Sequence, residues 1–152
     1  MAYDRTWTIT IDAPRERVFE YLADVSRHPE WGSDMTTSEA QQAGPPAVGN
    51  RYAAEGILNG KPNPSVVTIT ALEAPARFAF DARDARSTFH HEFTLAGDGH
   101  HTRLERRMTM PEGPFLNPIF MRVFQGVIDK NYNGALQRLK SRSEAAAASE
   151  VP

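Results

Sequence analysis

Pro111 divides this chain into two kinds of periodicity. Upstream of it, from residue 51 on, short runs read as strands: 51–58, 66–72, 77–82, 88–95 and 102–110. In such runs successive side chains fall on opposite faces of a sheet. Downstream, Leu116, Ile119, Phe120, Val123, Phe124, Val127, Ile128, Ala135, Leu136 and Leu139 recur at helical spacing, about 3.6 residues per turn. They predict one long amphipathic helix that starts near Pro118, a residue suited to a first turn. The runs are separated by Gly60-Lys61-Pro62-Asn63-Pro64, by Pro75 and by Gly97-Asp98-Gly99. The first of these reads as a rigid turn and the last as a tight hairpin connection, so the strands pair antiparallel. A sheet with an apolar face must bury it, and the long helix is available to cover it. The fold class is therefore α+β.

The N-terminal third adds a strand and two small helices. WTITI (residues 7–11) is β-branched and strand-like. Asp12-Ala13-Pro14 stops it and opens a helix, in which Val18, Phe19 and Leu22 form the apolar stripe. Residues 24–31 read as a second short helix or turn, limited by Pro29, and a short strand is expected near 36–41. Residues 1–143 are expected to form a single domain. Residues 144–152 carry no large apolar group except Val151 and are expected to fray.

Composition narrows the function classes. Seventeen basic residues face nineteen acidic ones, for a formal charge of -2. That balance gives no basic reserve, and nucleic acid is not an expected partner. The chain has no cysteine, so disulfides, thiol catalysis and thiolate metal sites are excluded. No apolar run reaches the length of a membrane span, and stable membrane insertion is not expected. With no signal-peptide pattern at the start, the expected location is the cytoplasm.

Four of the five histidines lie in two pairs, His90-His91 and His100-His101. Strand alternation splits the first pair between two faces, and the second belongs to the turn. Zinc needs converging ligands, and this spacing matches neither a helical His-Glu-x-x-His site nor a finger. No metal and no cofactor are expected. With the turn at residues 97–100, the hairpin places Leu95 beside Thr102, Phe93 beside Leu104, His91 beside Arg106 and Phe89 beside Met108. One face then carries Phe89, His91, Phe93 and Leu95 with Leu104, Arg106 and Met108. His91 and Arg106 are the polar intrusions on it. Buried, each needs a partner. A ligand carboxylate, phenolate, phosphate or carbonyl would serve, and so would an internal carboxylate, backbone carbonyl or water.

The stretch WTITIDAPRERVFEYLADVSRHPEW (residues 7–31), the run Val48-Gly49-Asn50-Arg51-Tyr52 and the terminal Leu136-Gln137-Arg138-Leu139-Lys140 together resemble the START-like, or SRPBCC, superfamily. Within it they resemble the polyketide cyclase/dehydrase-like group. The resemblance spans nearly the whole chain and is specific for fold more than for function. It implies a helix-grip fold, a curved seven-stranded antiparallel sheet around a long C-terminal helix, with two short helices after the first strand. It also implies an internal apolar cavity for lipids, sterols, polyketides or other hydrophobic molecules. The superfamily includes carriers, ligand-dependent regulators and enzymes and has no single catalytic constellation to transfer.

On that fold Trp31 and Tyr52 are candidates for the cavity mouth or body, with core packing as the competing role. Phe78, Phe80, Phe89, Phe93, Phe120 and Phe124 are candidate wall residues. Asp24, His28 and Glu55 lie near an expected opening, where capping or surface exposure is the ordinary role of each. The leading expectation is binding of a hydrophobic small molecule, aromatic, polyketide-like or lipid-like, for transport or sensing. The first alternative is a cofactor-independent cyclase or dehydratase, with His91 as acid or base and Arg106 as electrostatic stabiliser. The second is a structural or partner-interaction protein with a closed core, in which Leu116-Asn117-Pro118-Ile119-Phe120 offers an apolar edge that a homodimer would cover.

Overall fold

A computed structural model describes residues 3–32, 35–58, 60–111 and 118–149, apart from the side chains of 58 and 118–121. Seven strands form one antiparallel sheet: β1 (Tyr3–Ile11), β2 (Met35–Ala40), β3 (Arg51–Leu58), β4 (Lys61–Glu73), β5 (Arg77–Arg83), β6 (Thr88–Gly97) and β7 (Thr102–Met110). Their order across the sheet is β1-β7-β6-β5-β4-β3-β2. Between β1 and β2 lie helix α1 (Arg15–Ala23) and a 3-10 helix (Val25–Glu30). A long helix, α2 (Pro118–Ser149), closes the chain. This is the α+β helix-grip architecture expected from the sequence.

The inner face of the sheet is built by alternation. Trp7 and Ile11 of β1, Leu104 and Met108 of β7, Phe93 and Leu95 of β6, and Phe78 and Phe80 of β5 are all buried. Val18, Phe19 and Leu22 of α1 join them, as the stripe in the sequence predicts. On the outer face the charged residues pair in the open: Arg107 holds Asp4 through two bonds of 2.8 and 2.6 Å, and Arg77 donates to Glu92 at 2.8 Å. Exposed pairs of this kind add little stability, but they fix which residues face outward.

Three details differ from the sequence expectation. The stretch 61–64 is not a turn but the start of β4, with Ile57 opposite Pro62 and Glu55 opposite Pro64. Pairing with β5 begins only at Val66. The two prolines therefore sit where β4 has β3 as its one sheet neighbour, and an open edge tolerates a missing N–H. Second, the β6–β7 register is displaced by two residues, so that Leu95 faces Leu104, Phe93 faces Arg106 and His91 faces Met108. The turn is tighter than 97–100 implied, because Gly97 still pairs with Thr102. A Cβ on Gly97 would lie 2.0 Å from the His101 carbonyl oxygen, so the approach demands glycine. A displacement of two preserves every face, and the inner set stands as read.

The third difference concerns α2. Its inward stripe is Gln125, Ile128, Asp129, Tyr132, Leu136, Leu139 and Ser143, in which each residue has another three or four positions away. Val123 and Val127 project the other way and are 70% and 54% exposed. The first part of α2 is fastened to β1 by polar contacts instead. Tyr3 Oη donates to Gln125 Oε1 at 3.0 Å, and Trp7 Nε1 and Gln125 Nε2 each donate to Asp129 Oδ1 at 2.8 Å. Arg5 Nη2 adds a bond of 2.8 Å to Asp129 Oδ2. Ala135, Leu136 and Leu139 in the second part supply the apolar burial. The fraying expected from residue 144 is replaced by helix up to Ser149. The alanine-rich sequence has high helix propensity, Lys140 pairs with Glu144, and Glu144 accepts from the Asp12 N–H at 2.7 Å.

Replacing Leu136 by Ala should lower unfolding free energy by about 2–5 kcal/mol, because the side chain leaves a cavity in a packed layer. Val123→Ala, on the exposed side, should change it by no more than about 0.5 kcal/mol. Urea denaturation of both variants checks the orientation of α2. Equal effects would contradict it.

Candidate functional site

A cavity of about 280 Å³ lies between the inner face of the sheet and α2. Its described lining is His28, Trp31 and Gly32 at the end of the 3-10 helix, Met35 of β2, Phe80 and Ala82 of β5, His91 of β6, Arg106 of β7, and Ile128, Asn131 and Tyr132 of α2. The 3-10 helix reaches the cavity by a periodicity of its own. Residues three apart eclipse on such a helix, and Val25, His28 and Trp31 are all buried. Its end closes on one carbonyl: Gly32 N–H donates to His28 O at 2.7 Å and Trp31 N–H donates to it at 3.2 Å. A Cβ on Gly32 would stand 2.9 Å from that oxygen. The tight closure, with Arg138 Nε donating to Trp31 O at 3.0 Å, sets the Trp31 ring against the sheet.

Arg106 is the charged centre of the wall, only 6% exposed. Its Cζ lies 4.5 Å from the Tyr132 ring centroid, 5.1 Å from Phe93 and 5.6 Å from Trp31. Aromatic faces attract a cation through their quadrupoles, more strongly when water is excluded. Nη2 donates to His91 Nδ1 at 3.3 Å. Among the described residues Nε and Nη1 have no partner, and neither does the buried Trp31 Nε1. No carboxylate pairs with Arg106 among them either. Burial pushes its pKa down to about 10, so it remains a cation at neutral pH.

Both cavity histidines are neutral. Burial first, and then the Arg106 charge, hold His91 well below the usual histidine value. Burial brings His28 down to about 4, its bond to Leu22 O opposes this, and Arg106 adds to the depression. A guanidinium only donates, so His91 Nδ1 accepts and the ring proton sits on Nε2. A carbonyl only accepts, so His28 Nε2 carries the proton it donates to Leu22 O at 2.8 Å. The rings pack together: His91 stacks on Phe80 at 4.8 Å and His28 lies edge-on to Trp31 at 4.9 Å.

The sequence candidates divide clearly. Trp31, Phe80, His91 and Arg106 line the cavity. Phe78 and Phe93 are fully buried behind its surface, where they pack on Phe80. Phe89 is half-buried against the core, and Tyr52 is buried on β3; neither is among the described lining. Phe124 is 41% exposed and also lies outside that lining, since α2 turns it away. The side chain of Phe120 and those of the proposed edge at 116–120 lie outside what the structure describes. His28, whose ordinary role is exposed, is instead 1% exposed and part of the wall. Its three-residue spacing between Val25 and Trp31 was the available signal. Tyr132 was missed too, although it falls four residues from both Ile128 and Leu136 in the inward stripe. Asp24 and Glu55 do not line the cavity, and His100 and His101 form an exposed turn held by Asp98.

Residues 5–144 match the family model for polyketide cyclase/dehydrase and lipid transport. The chain belongs to that family. Solved structures agree at the level of fold. The protein TTHA0849 of Thermus thermophilus superposes with a TM-score of 0.77 at 17% identity, covering 95% of this chain and 99% of that one. A START superfamily protein of Mycobacterium smegmatis gives 0.73 at 10% identity, with coverages of 93% and 97%. The Zhui aromatase/cyclase of Streptomyces sp. R1128 gives 0.72 at 18% identity, with 93% of each chain covered. A sequence comparison with curated proteins gives no significant match. No helix among the described residues is long and apolar enough to cross a membrane.

Neutral buried histidines link the cavity to pH. Their pKa is lower in the folded chain than in the unfolded one, so the unfolded chain binds more protons on acidification. Their contribution to stability is complete above the unfolded value of 6.5 and is lost as pH falls toward about 4, the His28 value. Urea midpoints should decline across that window. The slope should flatten in His28→Gln, which retains a donor for Leu22 O, and in His91→Asn, which retains an acceptor for Arg106. A slope unchanged in both variants would contradict the assignment.

Proposed function

We propose that this member of the family binds a hydrophobic small molecule, aromatic, polyketide-like or lipid-like, in the cavity between sheet and α2, as a carrier or sensor. The observation that carries the reading is the combination of aromatic walls with a few converging polar groups. Phe80, Trp31, Tyr132 and Ile128 offer apolar contact, and Arg106 and His91 offer orientation. Cavities of this composition suit apolar ligands with one polar end.

A catalytic reading has one observation in its favour: His91 and Arg106 do meet in the same wall. The protonation pattern weighs against His91 as a base. Its Nδ1 lone pair is engaged by the guanidinium and its Nε2 already holds a proton. General-base catalysis needs a free lone pair within reach of the substrate. A cyclase or dehydratase working through His91 would lose turnover of a polyketide-like substrate in a folded His91→Ala variant; retained turnover removes that mechanism.

For the binding reading, native mass spectrometry of gently purified protein should show a retained small molecule, and calorimetry should register binding of 2-naphthol as a probe. Ala82→Trp fills the cavity from β5 and should weaken the probe by about tenfold or more, with circular dichroism unchanged. Undiminished affinity in the folded variant would move the ligand out of this cavity.

A further inference from the structure

The polar end of the ligand has a chemistry that Arg106 defines. Its guanidinium is buried, and the Nε hydrogen and both Nη1 hydrogens lack an acceptor among the described residues. One Nη2 hydrogen goes to His91. A neutral imidazole supplies an acceptor but no negative charge. Among the described lining residues Arg106 is the one fixed charge: His28 and His91 face it as neutral rings, and Tyr132 presents its aromatic ring to it. The cavity therefore holds one unit of positive charge without a counter-ion among the described residues. Aromatic faces reduce that imbalance and do not cancel it. A buried charge is tolerated when paired and hydrogen-bonded.

Resting on the binding reading above, we propose that the cavity selects a monoanion: a flat aromatic molecule whose charged oxygen, carboxylate or phenolate, is received by Arg106. One cation balances one negative charge, which disfavours a phosphate dianion. The planar guanidinium suits a carboxylate through two parallel bonds and a phenolate through one or two. Trp31, Phe80 and Tyr132 receive the ring.

The test uses the full chain at about pH 7.5, where carboxylic acids are ionised and these histidines are neutral. Calorimetric titration compares 2-naphthoate with 2-naphthamide, which carries the same ring and no charge. The expected result is a preference for the carboxylate of about 10- to 100-fold, the range for a hydrogen bond to a charged group. In Arg106→Met the preference should vanish while the amide still binds. The second arm uses 2-naphthol and needs no variant. Absorbance of bound naphtholate, at a pH where the free molecule is neutral, identifies phenolate as a received form. A carboxylate preference without naphtholate restricts the class to carboxylates. Equal binding of acid and amide, with naphthol neutral when bound, overturns the proposal and leaves the binding reading intact. A preference that survives in Arg106→Met overturns it as well. If none of the three probes binds, both readings fall.

Discussion

A guanidinium withdrawn from water into an apolar sheet is destabilising by several kcal/mol unless its surroundings compensate. Around Arg106 four separate pieces of chain meet, and three of them compensate. β7 supplies the charge, β6 supplies Phe93 and the acceptor His91, the end of the 3-10 helix supplies Trp31, and α2 supplies Tyr132. The same charge acts back on its neighbours. It fixes the His91 proton on Nε2 and helps to keep both cavity histidines neutral. Most of the polar character of the cavity thus follows from one side chain.

The space beside that charge exists because of how α2 is held. A helix that buried its most apolar stripe would have pressed Val123, Phe124 and Val127 into the sheet. Instead the carboxylate of Asp129 gathers donors from Trp7, Arg5 and Gln125, which ties the helix to the edge strand β1. Tyr132, one turn further on, stacks on Trp7 at 4.4 Å and lies over Arg106. That residue joins the fastening to the site. Solid apolar packing takes over only near Ala135.

Sequence reading recovered whatever depends on parity and missed what depends on distance. Alternation on β6 and β7 put His91 and Arg106 on one face, and the structure keeps them there. The register differs by two because the Gly97 backbone approaches closer than a generic turn allows. Prolines 62 and 64 read as a turn because sheet order, which leaves that part of β4 on an open edge, is a non-local property. On α2 the eye follows hydrophobic residues, whereas Gln125 and Asp129 mark the true inward stripe. His28 was hidden for a related reason: a polar residue on a 3-10 helix announces burial only through three-residue spacing. The family resemblance supplied the architecture and the expectation of a cavity; the residues around that cavity came from geometry.

The charged outer face of the hairpin has a consequence for the inside. Arg103, Glu105 and Arg107 alternate with Leu104, Arg106 and Met108 along β7. A slide of β7 by one residue would turn three charges inward and lose the outer pair between Arg107 and Asp4. A slide by two would keep Arg106 inside but move it about 7 Å along the wall. Two residues are therefore a shift in position, and one residue is a reversal of phase. The outer ladder acts as a phase lock, and charges that never enter the cavity keep Arg106 facing it.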